Sequence, residues 1–327
     1  MKPGGHGRVT TPPDYAPVWW LPDGHTQTLW AARCRRVPPV QPRPERIELP
    51  DGDFVDLAHV GCEGAPLVLV LHGLEGDYRS PYASALLGAI AARGWHGVLL
   101  HFRGCSGEPN RLPRSYHSGD TGDLAFVAAQ LRRRSNLIGA VGYSLGGNVL
   151  LKYLGESGAD APFAAAAAVS VPFDLAIAAD TLNRGFSRVY QRLLVRSLQA
   201  KARTKFARVA APIDLREIDR WNDFRSFDDR VTAPLHGFAD AEDYYRRSSC
   251  RPFLRRIATP TLVVHAHDDP FLDPRGIPDA HELAPALRLD LVARGGHVGF
   301  VSARPWLERR LLDFIAGALD ADAARSG

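Results

Sequence analysis

A short apolar run, Leu137 to Val141, passes directly into Gly142-Tyr143-Ser144-Leu145-Gly146-Gly147 and then into a helical pattern carried by Val149, Leu150, Tyr153 and Leu154. A buried strand must turn sharply into a helix there, with Ser144 at the turn. A serine hydroxyl is a weak nucleophile at its free pKa, so chemistry at such a place needs exposure, a neighbouring base and donors for a developing oxyanion. The turn can supply the exposure and one donor, the Leu145 N–H at the helix start. Gly142 and Gly146 leave out side chains that would collide with the adjoining strand or helix. The glycine-serine-glycine spacing alone arises by chance in roughly one chain in ten of this length. The rest of the chain must therefore supply an acid and then a histidine, in that order.

At 327 residues with 45% hydrophobic residues, the chain can bury one large α/β core with an insertion, and no second full domain is required. A net charge of +4 is too mild to indicate nucleic acid as a partner. Cys34, Cys62, Cys105 and Cys250 lack the paired spacing of a zinc site or disulfide framework, which fits reduced thiols in the cytoplasm. The first 17 residues hold no apolar stretch of signal-peptide length, and no run is long enough to span a bilayer. Peripheral membrane contact stays open, as does the number of subunits. The aromatic segment Trp19 to Trp30 reads either as an arm that packs its indoles on the main domain or as part of a substrate pocket.

Arg46 to Glu48 and Phe54 to Val60 flank a Pro-Asp-Gly-Asp turn and predict a hairpin. The continuous apolar run from Pro66 to Leu71 predicts a strand buried on both faces and ends in His72-Gly73-Leu74. A helix opens at Ser80-Pro81 and stops at Gly94. A second buried strand, Gly97 to Phe102, leads to Arg103-Gly104-Cys105-Ser106-Gly107. Asp120 or Thr121 can cap the next helix, along which Leu124, Val127, Ala128 and Leu131 share a face. This alternation predicts a mostly parallel, doubly wound sheet with ligands at the carboxyl ends of its strands.

The alternation stops after Val171. Residues 172 to 254 are polar and helical in pattern, as expected of a cap inserted over a site. Arg184, Arg188, Arg192 and Arg196 recur every four residues there and form one stripe, either a solvated face or a face for anionic lipid. The core rhythm resumes at Thr261 to His265, which delivers Asp268 and Asp269, and at Leu287 to Val292, which runs toward His297. Imidazole is the side chain that titrates near neutrality without large perturbation, so His297 is the candidate base, oriented by a carboxylate. His265 and His267 beside the two aspartates could suggest a metal, but the run falls where the acid belongs and no third ligand is visible, so none is expected. Cys105 reads as a small packed residue, and His25 and His101 as structural.

The chain resembles the α/β-hydrolases, and within them the YheT-like group related to eukaryotic α/β-hydrolase-domain proteins. The resemblance rests on GHTQTLW (24 to 30), HGLEGDYRSPY (72 to 82), FRGCSG (102 to 107), GYSLGGN (142 to 148), APLHGFADAEDYY (233 to 245), HAHDDPF (265 to 271) and GGHVGF (295 to 300). It implies an α/β-hydrolase fold divided into a flexible segment at 1–18, a core at 19–171, a helical cap at 172–254, the rest of the core at 255–320 and a flexible end at 321–327. It further implies Ser144 as nucleophile, His297 as base and Asp269 as acid, with Asp268 the alternative, and the N–H groups of Leu74 and Leu145 as oxyanion donors. Tyr143, Tyr244 and Tyr245 are candidates for substrate contact, the last two being equally candidates for anchoring the cap. The activity implied is cofactor-free hydrolysis of a small-molecule carboxylic ester or acyl lipid. Acyl transfer to another acceptor and a non-catalytic binding protein are the alternatives.

Overall fold

A computed structural model describes residues 5–326. In chain order the strands are β1 (Arg8–Thr10), β2 (Arg43–Glu48), β3 (Phe54–Gly61), β4 (Leu67–Leu71), β5 (His96–His101), β6 (Leu137–Tyr143), β7 (Ala165–Val169), β8 (Thr261–Ala266) and β9 (Leu287–Val292). The principal helices are α1 (Gly24–Arg33), α2 (Pro81–Ala92), α3 (Gly122–Arg134), α4 (Leu145–Ser157), α5 (Leu175–Leu182), α6 (Ser187–Phe206), α7 (Phe224–Phe227), α8 (Ala233–His236), α9 (Ala241–Ser248) and α10 (Trp306–Ser326).

The nine strands form one sheet in the order β1-β9-β8-β7-β6-β4-β5-β3-β2. All neighbours are parallel except at β3, which pairs antiparallel with both β2 and β5. β4, β6 and β7 are buried at every residue, as apolar strands covered by helices on both sides must be. One face packs Leu69, Leu100, Leu124 and Leu150 under α3 and α4, and the other packs Val70, Leu87, Val141 and Leu311 under α2 and α10. Parallel pairing brings the carboxyl ends of β4, β6, β8 and β9 to one edge. The segments after those four strands carry Leu74, Ser144, Asp269 and His297.

Between β7 and β8 the chain runs without a strand through α5 to α9 and a π-helical turn at Asp228–Thr232. Regular elements fall within both segments expected to be flexible. β1 adds an edge strand, with Arg8 opposite Arg288 and Thr10 opposite Asp290, where Thr10 Oγ1 donates to the Asp290 carboxylate at 2.7 Å. α10 continues to Ser326. The expected flexible ends also include residues 1–4 and 327, which lie outside the described residues.

Candidate active site

Ser144 has φ 50° and ψ −117°, a backbone conformation that an L-residue adopts only under constraint. The constraint is visible on both sides. A Cβ on Gly142 would lie 2.5 Å from the Gly146 carbonyl oxygen, and one on Gly146 would lie 2.5 Å from that of His72. α4 therefore lies too close to β6 for a side chain at Gly142 and too close to the end of β4 for one at Gly146. Ser144 is held half-buried at the top of the sheet, with the Leu145 N–H opening α4.

His297 Nε2 lies 2.9 Å from Ser144 Oγ, and its Nδ1 lies 2.8 and 3.1 Å from the two oxygens of the Asp269 carboxylate. The Asp269 side chain is wholly buried. A carboxylate on Nδ1 fixes the proton there and leaves Nε2 as the acceptor facing the hydroxyl. The Phe271 ring stacks on the imidazole, with centroids 4.0 Å apart and planes within 5°.

The loop carrying His297 is braced from several directions. Asp268 does not touch the imidazole; its Oδ1 accepts from the N–H groups of Gly295 and Gly296 at 2.8 and 2.9 Å. The two adjacent aspartates thus divide the work, Asp269 meeting the ring and Asp268 shaping its loop. The His297 N–H donates to Thr28 Oγ1 at 2.8 Å, Val301 N–H donates to the buried Gln27 Oε1, and Val298 N–H donates to Ser170 Oγ. The start of α1 presses against both loops: a Cβ on Gly24 would lie 1.8 Å from the Asp268 carbonyl oxygen, and one on Gly296 would lie 2.5 Å from that of Gly24. Asp23 caps α1 by accepting from Thr26 N–H.

The segment from 24 to 30 therefore meets the site through its glycine and polar residues, not its indoles. Trp20 packs edge-on against Trp30, with centroids 5.4 Å apart, while Trp19 is 86% exposed. Neither reading of the aromatic arm is right for Trp19, because an arm fixed by Thr28 and Gln27 does not require that indole. An Asp-capped helix start at Asp23 was the available signal.

Facing Ser144 across the site, the His72-Gly73-Leu74 turn is fixed by hydrogen bonds on both sides. His72 Nε2 accepts from Phe102 N–H at 3.1 Å, so its Nδ1 carries the proton and donates to the Gly73 carbonyl at 2.7 Å. Complete burial pushes this ring down to about 3, which keeps it neutral. Tyr82 Oη accepts from Gly73 N–H at 2.8 Å. Glu75, with φ 57°, donates its N–H to Tyr116 Oη and accepts that hydroxyl's proton on its carboxylate at 2.7 Å. Lys201 reaches down from α6 to the same carboxylate at 2.6 Å. Neither Leu74 N–H nor Leu145 N–H has an acceptor among the hydrogen bonds of the described residues. Tyr116, Glu75 and Lys201 escaped the sequence reading because they meet across 126 positions of chain with no local motif.

A cavity of about 440 Å³ lies over Ser144 and His297. The cap lines it with Leu175, Ala179, Leu194 and Leu198, and the core with Leu74 and Leu145. Tyr244 and Tyr245 also line it, and each is tied down by its hydroxyl: Tyr244 Oη accepts from Ser118 N–H and Tyr245 Oη donates to Asp228. The Tyr244 bond ties the cap to the core, whereas the Tyr245 bond lies within the cap. Tyr143 is a correction: it is fully buried against Tyr82 in the apolar layer beneath α2, away from the cavity. Neighbouring residues of a strand point to opposite faces, and the close approach at Gly142 sends Tyr143 into the core.

The remaining candidates fall outside the chemistry. His265 is buried with both ring nitrogens unpartnered, packs near Phe173, and is pushed down to about 4 by desolvation. Among the described residues it joins no cluster of ligand atoms. Burial pushes the Cys105 thiol up to about 11, away from the thiolate a nucleophile needs. His25 is paired with Tyr190, and His101 with the Asp56 carbonyl.

The family model for the alpha/beta hydrolase fold matches residues 66–303. This chain belongs to the α/β-hydrolase family. It is 45% identical over 321 residues to the protein named "Putative esterase YheT" of Escherichia coli, covering 94% of each chain. It is 30% identical to the phospholipase ABHD3 of Mus musculus, covering 88% of this chain and 73% of that one. Among solved structures, the thioesterase domain of the curacin biosynthetic pathway superposes with a TM-score of 0.53 at 17% identity, covering 84% of this chain and all of that one. The Pyrococcus furiosus esterase Pf2001 gives 0.55 at 14% identity over 86% and 99%. These structural likenesses show the fold alone.

Proposed function

We propose that the protein hydrolyses carboxylic esters through an acyl-enzyme on Ser144. The observation that carries this reading is the hydrogen-bonded line from Ser144 Oγ through His297 to Asp269. Ser144 Oγ attacks the ester carbonyl carbon as its proton passes to His297 Nε2. Asp269 holds the imidazolium that forms. Charge developing on the carbonyl oxygen meets the Leu74 and Leu145 N–H groups, each worth about 3 kcal/mol of transition-state stabilisation. The C–O bond to the alcohol then breaks, and the alcohol leaves with the proton from Nε2. Water attacks the acyl carbon, gives a proton to Nε2, and releases the acid while Ser144 Oγ regains its proton. The apolar lining of the cavity suits the acyl part of an ester or acyl lipid. The names of the esterase and phospholipase relatives support the same substrate class.

Exposure to a fluorophosphonate followed by intact mass measurement tests the reading. The wild-type protein gains one adduct, Ser144→Ala gains none, and His297→Ala gains it slowly. Folded wild-type protein that gains no adduct and cleaves no member of a p-nitrophenyl acyl series would overturn it.

A further inference from the structure

Six large apolar side chains stand open to solvent in two segments of the described residues. Trp19, Trp20 and Leu29 lie just before or on α1, while Phe186, Val189 and Leu193 lie at the start of α6. These segments meet: His25 Nδ1 is 3.1 Å from Tyr190 Oη, and the His25 ring stands edge-on to Phe186 with centroids 5.1 Å apart. The inner faces of the same two helices wall the cavity through Thr28, Ala31, Leu194 and Leu198. Single exposed apolar residues need no explanation, but a group of them on the outside of a ligand-binding wall does.

Along α6 the charge has one sign, Asp23 at the start of α1 being the nearby acidic group. Over its 20 residues α6 carries Arg188, Arg192, Arg196, Lys201, Arg203 and Lys205 and no acidic residue. Arg188, Arg192 and Arg196 are exposed, and none of them is ion-paired among the described residues. Helical geometry places these three on one strip and Val189 and Leu193 on the next, whereas Arg184, expected on the same stripe, lies in the turn between α5 and α6 beside Gly185 and does not belong to it. Arg188 also occupies the first turn, where the helix macrodipole is already positive and a cation is unfavourable. A face that only needs to be soluble mixes both signs. An all-cationic strip beside an open apolar strip suits a helix lying in a lipid interface, with Trp side chains nearby as interfacial anchors.

We infer that the outer face of α6 docks the protein on an anionic lipid surface, with Phe186, Val189 and Leu193 entering the headgroup layer and Arg188, Arg192 and Arg196 on lipid phosphates. Docking there sets the helices that wall the cavity against the lipid. It does not depend on ester hydrolysis.

Sedimentation with sucrose-loaded vesicles of phosphatidylcholine, alone or with about a third phosphatidylglycerol, tests it. Wild type and Ser144→Ala co-sediment with the anionic vesicles and much less with the neutral ones, so an inactive site leaves the result intact. Arg188→Gln/Arg192→Gln/Arg196→Gln binds roughly a hundredfold more weakly. Phe186→Ser/Leu193→Ser also loses binding, and both variants keep wild-type melting temperatures and cleavage of a soluble short-chain ester. Equal binding to the two vesicle types, no binding to either, or wild-type binding by the folded triple variant would each overturn the proposal.

Discussion

In the sheet, β4, β6 and β7 bury every side chain, and the groups that meet at the site stand on their carboxyl ends or on loops pinned to them. The cap is assembled differently. Its apolar clusters are small, one centred on Leu175, Ala179, Tyr244 and Tyr245 and the other on Val195, Ile218, Phe227 and Val231. Polar contacts join it to the core: Asn148 donates to the carbonyls of Ser118 and Ser248 and accepts from Cys250 N–H, Ser187 Oγ donates to the Pro270 carbonyl, and Lys201 pairs with Glu75. A part with few buried apolar contacts opens at lower free energy than a packed sheet. The difference separates two tasks. The core holds Ser144, His297 and Asp269 in fixed geometry, while the cap shapes the cavity above them.

The largest effect belongs to the core. Asp269→Asn leaves the fold and the cavity in place but removes the carboxylate that fixes the His297 tautomer, so kcat falls on the order of ten-thousandfold. Asp268→Asn is expected to lose far less, and a steady-state comparison of the two variants decides which aspartate serves the imidazole.

A smaller effect belongs to the seam. His117 from the core and His236 from the cap face each other with ring centroids 4.6 Å apart, and burial pushes them down to about 3 and about 2. Both rings stay neutral when folded, whereas an exposed imidazole binds a proton below its ordinary value near 6.5. The stability gained by burying them neutral is complete above that pH and drains away as the pH falls. The loss is about 1.4 kcal/mol per unit for each ring, or roughly 4 kcal/mol for the pair at pH 5. Thermal melts between pH 7.5 and 5 check this, and His236→Phe should flatten the acid limb. An unchanged slope would mean that other groups set it.

The smallest effect joins the two parts. Lys201→Met removes the cap's grip on Glu75, and with it one restraint on the turn that carries the Leu74 N–H. A small displacement of an oxyanion donor lowers kcat roughly tenfold. Melting temperature and KM for a short-chain ester should change little. A variant that lost KM alone would place Lys201 in substrate binding instead.

Much of the core was legible because its strands are short apolar runs ending in glycine-rich turns, so Ser144, the Asp268-Asp269 pair and His297 could be set at one edge from sequence. Choosing between the two aspartates could not be done that way. Both occupy the same turn, and only the direction of each carboxylate, toward the Nδ1 of His297 or toward the N–H groups of Gly295 and Gly296, distinguishes them. Tyr143 was misjudged for a related reason. A strand buried on both faces has no polar alternation to reveal which way a residue points. β1 was invisible because three residues, Arg8 to Thr10, carry no periodicity and owe their strand geometry to β9. Pairings such as Lys201 with Glu75 leave no mark at short range.

The grip of Thr28 and Gln27 on the loop of His297 spans about 270 positions of the chain. Domains emerge from the ribosome in order, and contacts so distant in sequence form last. A nascent chain that has already folded the strand before Ser144 still lacks the histidine, the edge it stands on and the means to lock it to α1. The growing polypeptide therefore cannot assemble the line from Ser144 through His297 to Asp269 until β9 and the loop behind it have left the ribosome, and the strained turn at Ser144 spends that interval without a partner.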